Sequence, residues 1–160
     1  MLTKITKNDF EFIYGMYMNP AINPFLMYEI MSEQDFESIF DEILSQDIMY
    51  IFSVDGQAVG MCKLIPHFHR TSHIHYIGSV AIHPDFGRKG YASLLFEEII
   101  AFGAAKGLKR LELSVATINQ KAINLYEKHG FVYEGTLKKY CYLKSEDRYI
   151  DEQLMAYLYP

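Results

Sequence analysis

Two short segments of this 160-residue chain combine residue types and spacings that can do chemistry. In the first, the apolar run Val80-Ala81-Ile82 stops at a Pro84-Asp85 turn, and Gly87-Arg88-Lys89-Gly90-Tyr91-Ala92 leads into an amphipathic pattern. Glycine at 87 and 90 lets a backbone approach an anion closely, Ala92 adds little bulk, and Arg88 and Lys89 add positive charge. At the start of a helix such a loop presents amides without partners and the positive end of the helix dipole, a setting that binds pyrophosphate. The same glycines would also serve a plain strand-to-helix turn, because short glycine patterns are common. The loop is not a Walker A, since no Gly-Lys-Ser/Thr follows, and it lacks the third glycine of a Rossmann fingerprint.

In the second segment, Asn119 follows a strand-like run and Ala122, Leu125 and Tyr126 fall on one helical face, before Gly130 and Phe131. Taken alone, this is an amphipathic helix with a helix-capping asparagine and a core tyrosine. A third grouping, His67-x-His69 with His73-x-His75, would place histidines in pairs on strand faces, where imidazole suits zinc or copper. No carboxylate or thiol completes that set, so solvated histidines in a polar hairpin are the simpler expectation, with no metal.

Ordinary elements must position these groups. The patterns predict a strand at 2–6, a helix capped by Asn8 to about Met18, and an irregular loop at 20–31. Ser32 caps a second helix carrying Phe36, Ile39, Phe40, Ile43 and Leu44 at helical spacing. Strands at 48–54 and 57–66 flank the Asp55-Gly56 hairpin turn, and another strand covers about 73–82, with a bulge marked by Gly78. A helix at about 88–106 stops at Lys106-Gly107, a strand runs at 108–116, and a helix runs from about Asn119 to His129-Gly130. Strands at about 131–143 and 148–158 close the chain. The order predicts an α+β fold, a mixed and mostly antiparallel sheet with helices on both faces, built as one domain over 1–160.

The totals exclude several classes. A formal net charge of -5 argues against nucleic acid. No run approaches the ~18 apolar residues of a membrane span, and the N-terminal segment lacks the apolar core of a signal peptide. Cys62 and Cys141 match neither a zinc nor a disulfide spacing, so the expected location is the cytoplasm. The exposed edges of the last strands leave room for a homodimer.

Together the two segments closely resemble the GNAT superfamily of acetyl-CoA-dependent N-acetyltransferases, best over residues 48–158. The family loop Arg/Gln-x-x-Gly-x-Gly/Ala is matched by Gly87-Arg88-Lys89-Gly90-Tyr91-Ala92, with Gly87 departing from the usual Arg or Gln. The family signature Asn-x-x-Ala-x-x-Leu-Tyr-x-x-x-Gly-Phe is met at Asn119, Ala122, Leu125, Tyr126, Gly130 and Phe131. The closing segment, with Tyr140 and Tyr142, looks like the branch acting on amino acids, polyamines or ribosomal-protein N-termini.

The resemblance implies direct attack of a primary amine, from a small metabolite or a peptide N-terminus, on bound acetyl-CoA. Residues 87–92 would hold the diphosphate, and the backbone of Val80, Ala81 and Ile82 would hold the thioester and its oxyanion. Tyr126 would steady the leaving thiolate, and Asn119 would position the pantetheine arm or that tyrosine. The general base is not readable: His73, His75 and Tyr76 stand nearest in sequence terms, then Glu29, Glu33 and Glu134, and a water chain serves equally. A non-catalytic acyl-CoA-binding or sensory domain is the rival reading, prompted by Gly87.

Overall fold

The computed structural model describes residues 1–160 and contains seven strands and four α-helices. The strands are β1 (Leu2–Lys4), β2 (Met49–Val54), β3 (Gln57–Pro66), β4 (Ile74–Ile82), β5 (Arg110–Ala116), β6 (Val132–Leu143) and β7 (Arg148–Leu158). The helices are α1 (Phe10–Tyr17), α2 (Glu33–Gln46), α3 (Tyr91–Ala105) and α4 (Gln120–Lys128). Strand pairing is both parallel and antiparallel, so the class is α+β with a mixed sheet, as expected. No helix is long and apolar enough to cross a membrane. The residues group into two compact units, Met1–Ile65 with Ser79–Leu95, and Pro66–Gly78 with Phe96–Pro160.

In the first unit β1 pairs antiparallel with β2, and β2 with β3. The β2–β3 turn needs two left-handed residues, and Asp55 (φ 51°) and Gly56 (φ 79°) supply them. Helices α1 and α2 bury Ile13, Met16, Tyr17, Phe36, Phe40 and Ile43 against Met49, Ile51, Met61 and Ala81. The helical spacing of these residues is what drives both helices onto the strands. The first helix begins differently from expectation. Thr6, not Asn8, is the cap: its hydroxyl accepts from the Asn8 amide at 3.3 Å, and its own amide donates to Asp9 Oδ2 at 2.7 Å. This reciprocal box opens a 3₁₀ turn at Lys7–Asp9, and α1 follows.

Strand β4 contains Ser79 at φ 48°, one residue beyond the glycine at which the bulge was expected. A left-handed serine inside a strand turns its side chain out of the alternation. Its Oγ accepts a hydrogen bond from the Tyr17 hydroxyl at 2.8 Å. Gly60 of β3 meets β4 closely: a Cβ there would lie 2.7 Å from the Ala81 carbonyl oxygen and 2.7 Å from Ile82 Cδ1. The isoleucine tip can rotate away, but a strand carbonyl cannot. Gly60→Ala is therefore expected to destabilise the protein by about 1–3 kcal/mol, seen as a lower urea midpoint.

In the second unit β4 runs parallel to β5, Ile74 to Tyr76 facing Arg110 to Glu112. β5 pairs antiparallel with β7 from Arg110↔Leu158 to Ala116↔Glu152, and β7 pairs with β6 on its other side. β6 shifts register twice, the second time around Lys139 (φ 49°) between Leu137 and Cys141. Phe96, Ile99, Leu111, Leu113, Phe131 and Met155 are among the buried apolar residues of this unit.

Candidate active site

In the first unit, the segment after β4 forms a tight turn. The Phe86 amide donates to the His83 carbonyl at 2.9 Å and the Gly87 amide donates to the Pro84 carbonyl at 3.0 Å. Gly87 was expected to offer its amide to phosphate; that amide is instead committed to the turn. Its φ of -60° is open to any residue, and an added Cβ would meet only the Pro84 carbonyl, at 3.1 Å. The left-handed residues are Arg88 (φ 64°) and Gly90 (φ 78°), which is why α3 starts at Tyr91 and not at 88.

The first backbone bond entering α3 runs from the Leu94 amide to the Gly90 carbonyl at 3.2 Å, and no amide from Arg88 to Ser93 donates to a main-chain acceptor. Consecutive unpaired amides beside left-handed residues, at a helix N-terminus, make an anion-binding nest. The loop therefore fits a diphosphate. Lys89 Nζ lies over the Phe86 ring, 5.3 Å from its centroid.

In the second unit, Asn119 caps α4, its Oδ1 accepting from the Ala122 amide at 3.2 Å. The side-chain NH₂ is left for another partner. Tyr126 is 9% exposed, with its ring 5.0 Å from Phe96 and 6.2 Å from Phe131. Its hydroxyl makes no hydrogen bond, yet the one buried side-chain polar atom lacking a partner is His129 Nε2, so the phenol oxygen reaches solvent. Burial first, then the negative potentials of Tyr76 and Glu152, push the phenol above its ordinary range. The group is thus a hydrogen-bond donor and not a base at neutral pH.

The candidates for a proton acceptor scatter. Glu134 is held by Arg110 through Nη1 at 2.9 Å and Nη2 at 2.5 Å, and that pairing keeps its carboxyl below the usual range, a poor base. His75 is half-buried with Nδ1 3.0 Å from the Ile74 carbonyl oxygen, and burial lowers its pKa. His73 is exposed and precedes β4, and Glu33 is the exposed first residue of α2. His67 Nε2 stands 3.7 Å from Glu112 Oε1, and no group of three or more potential ligands is arranged to hold a metal.

Tyr76 joins a polar assembly separate from the Arg110 network. Its hydroxyl lies 2.7 Å from Ser114 Oγ, which donates to Glu152 Oε2 at 2.5 Å, and Cys141 Sγ donates to Glu152 Oε1 at 3.2 Å. Sequence reasoning missed Ser114, Cys141 and Glu152. Glu152 stands between Asp151 and Gln153 in a polar stretch of its strand, so the sequence around it gave no signal.

A model of the Acetyltransferase (GNAT) family matches residues 8–131. The chain belongs to that family and is by class an acetyl-CoA-dependent N-acetyltransferase. The L-amino acid N-acetyltransferase AaaT of Escherichia coli (strain K12) is 34% identical over 105 residues, which is 64% of this chain and 63% of that protein. The spermidine N(1)-acetyltransferase of Vibrio cholerae is 27% identical over 164 residues, covering 98% of this chain and 91% of that one. The crystal structure of a Vibrio cholerae spermidine N-acetyltransferase with CoA and spermine has the same fold, with a TM-score of 0.84 over 99% of this chain and 94% of that one at 23% identity.

Proposed function

We propose that this chain moves the acetyl group of acetyl-CoA directly onto a primary amine of a small metabolite or a peptide N-terminus. The observation that carries the reading is Tyr126, whose ring is packed among Phe96 and Phe131 while its hydroxyl has no protein partner. A phenol so fixed is oriented before a ligand arrives. The relatives named for amino-acid and spermidine acetylation support an amine acceptor.

Acetyl-CoA supplies an activated thioester, and the residues divide the remaining work. The amides of 88–93 hold the diphosphate, assisted by the charges of Arg88 and Lys89, with Gly90 and Ala92 keeping the approach clear. The backbone of Val80, Ala81 and Ile82 lies along the acetyl and pantetheine end. The Asn119 amide group holds the pantetheine arm. Tyr126 donates to the departing sulfur. A thiolate, whose thiol has a pKa of ~8.5, is a weaker base than a phenolate, whose phenol has a pKa of ~10, and Tyr126 is shifted further upward. Hydrogen bonding to the thiolate is therefore favoured over full proton transfer.

The reading accommodates Gly87. The amides assigned to the diphosphate lie beyond residue 87, and they stay open with glycine at that position. We further propose that residues 1–160 work as one domain in the cytoplasm, with homodimers formed through the edge strand β6.

Thiol release with a panel of amino acids, polyamines, aminoglycosides and peptides tests the activity. At least one amine class is expected to give turnover dependent on acetyl-CoA. Silence across the panel from protein that binds acetyl-CoA would return the non-catalytic reading.

A further inference from the structure

An alkyl amine of pKa ~10.4 reaches an enzyme at neutral pH as an ammonium ion. The second unit holds a carboxylate that stands without a cation. Glu152 lies half-buried on β7, flanked by β5 and β6. The ion pairs around it leave it out: Arg110 is taken by Glu112 and Glu134, and Lys138 by Asp151.

Its hydrogen bonds have one direction. Ser114 Oγ donates its proton to Oε2 at 2.5 Å, so the Tyr76 hydroxyl, 2.7 Å away, is the donor to the serine. The Ser114 amide donates back to the Tyr76 oxygen at 3.3 Å, and Cys141 Sγ donates to Oε1 at 3.2 Å. Burial, reinforced by Glu152, raises the Cys141 thiol to about 11, so it stays a donor at neutral pH. The negative charge is thus oriented by three side chains and neutralised by none. An ionised carboxylate has about four acceptor positions, and one protein donor on each oxygen leaves room for the N–H groups of a cation. Tyr126, on the same unit, feels the charge of Glu152.

Resting on the acetyl-transfer reading, we infer that Glu152 binds the protonated primary amine of the acceptor, with Ser114, Tyr76 and Cys141 as the residues that position it. No protein cation competes for this carboxylate, and enclosing a charge without a counter-ion is costly. An ammonium ion supplies both the opposite charge and the missing donors.

The test uses the full chain loaded with CoA and titrated with n-butylammonium chloride, followed through backbone amide resonances. Saturable shifts at Ser114 and Glu152 are expected. Glu152→Gln, which keeps size and shape, should weaken that binding by about tenfold or more while leaving CoA affinity and melting temperature unchanged. Equal binding by Glu152→Gln, or no saturable shift at these residues in the natural protein, would overturn the assignment. Ser114→Ala provides a second measurement: it should raise KM for the amine while sparing kcat, and an unchanged KM would remove the serine from the positioning set. Turnover by the natural protein together with an unaltered KM in Glu152→Gln would sink this inference and leave acetyl transfer standing. Binding without turnover would do the reverse.

Discussion

Tyr126→Phe is expected to lower kcat and kcat/KM together by about 10²-fold, with CoA affinity and stability at their original values. The hydroxyl has no partner in the folded protein, so removing it breaks no existing bond, and the ring packing on Phe96 and Phe131 is retained. Its interaction begins only when negative charge builds on sulfur, and loss of one such donor or acid costs about 10²–10³-fold. Equal falls in kcat and kcat/KM mark an interaction made only in the transition state. The pH dependence has a definite sign. Because the phenol is raised above its ordinary value of 10.0, the donor persists as pH rises, and no loss of activity assignable to Tyr126 should occur up to pH ~10. Steady-state rates of both proteins across that range check the point, and a variant of equal activity would strip the hydroxyl of its role.

Phe96→Ala should be the most destabilising single change near this tyrosine. Phe96 is fully buried and meets Tyr126 at 5.0 Å, Phe131 edge-on at 5.7 Å and His129 at 5.9 Å. Truncation removes the shared ring and leaves a cavity lined by groups that are held by their own backbones. Phe-to-Ala changes of this kind cost about 3–5 kcal/mol, a large part of the ~5–15 kcal/mol that holds a domain folded. Urea unfolding should show a lower midpoint with an unchanged slope. Any folded Phe96→Ala enzyme should also turn over more slowly, because Tyr126 loses the ring that fixes its direction. A midpoint within experimental error of the original would mean that the cavity had collapsed around the remaining side chains.

Local chemistry made much of this molecule legible before any coordinates. The Asp55-Gly56 hairpin, the Gly107 and Gly130 helix ends and the Asn119 cap each depend on a few adjacent residues, and each stands where its sequence put it. Where two local signals competed, reading along the chain was weaker. Thr6 and Asn8 are both acceptable caps, and only the reach of Asp9 back to the Thr6 amide decides between them. The Gly87 amide also looked available, because the carbonyl of Pro84 that captures it is revealed only by the turn geometry.

The amino-acid order alone determined the class of element at nearly every position, the nest at the start of α3 and the signature helix that carries Tyr126. These rest on backbone preferences and spacings that extend over a turn or two. The tertiary structure alone decided which charges meet. Ser114 is separated by 38 residues from both Tyr76 and Glu152, and both contacts are diagonal neighbours across paired strands. Glu134 became unavailable in the same way, through Arg110 at a separation of 24 residues. A slip of one residue in strand register would send these side chains to the opposite face. Register is set by the whole buried surface of the sheet, which no short stretch of sequence contains.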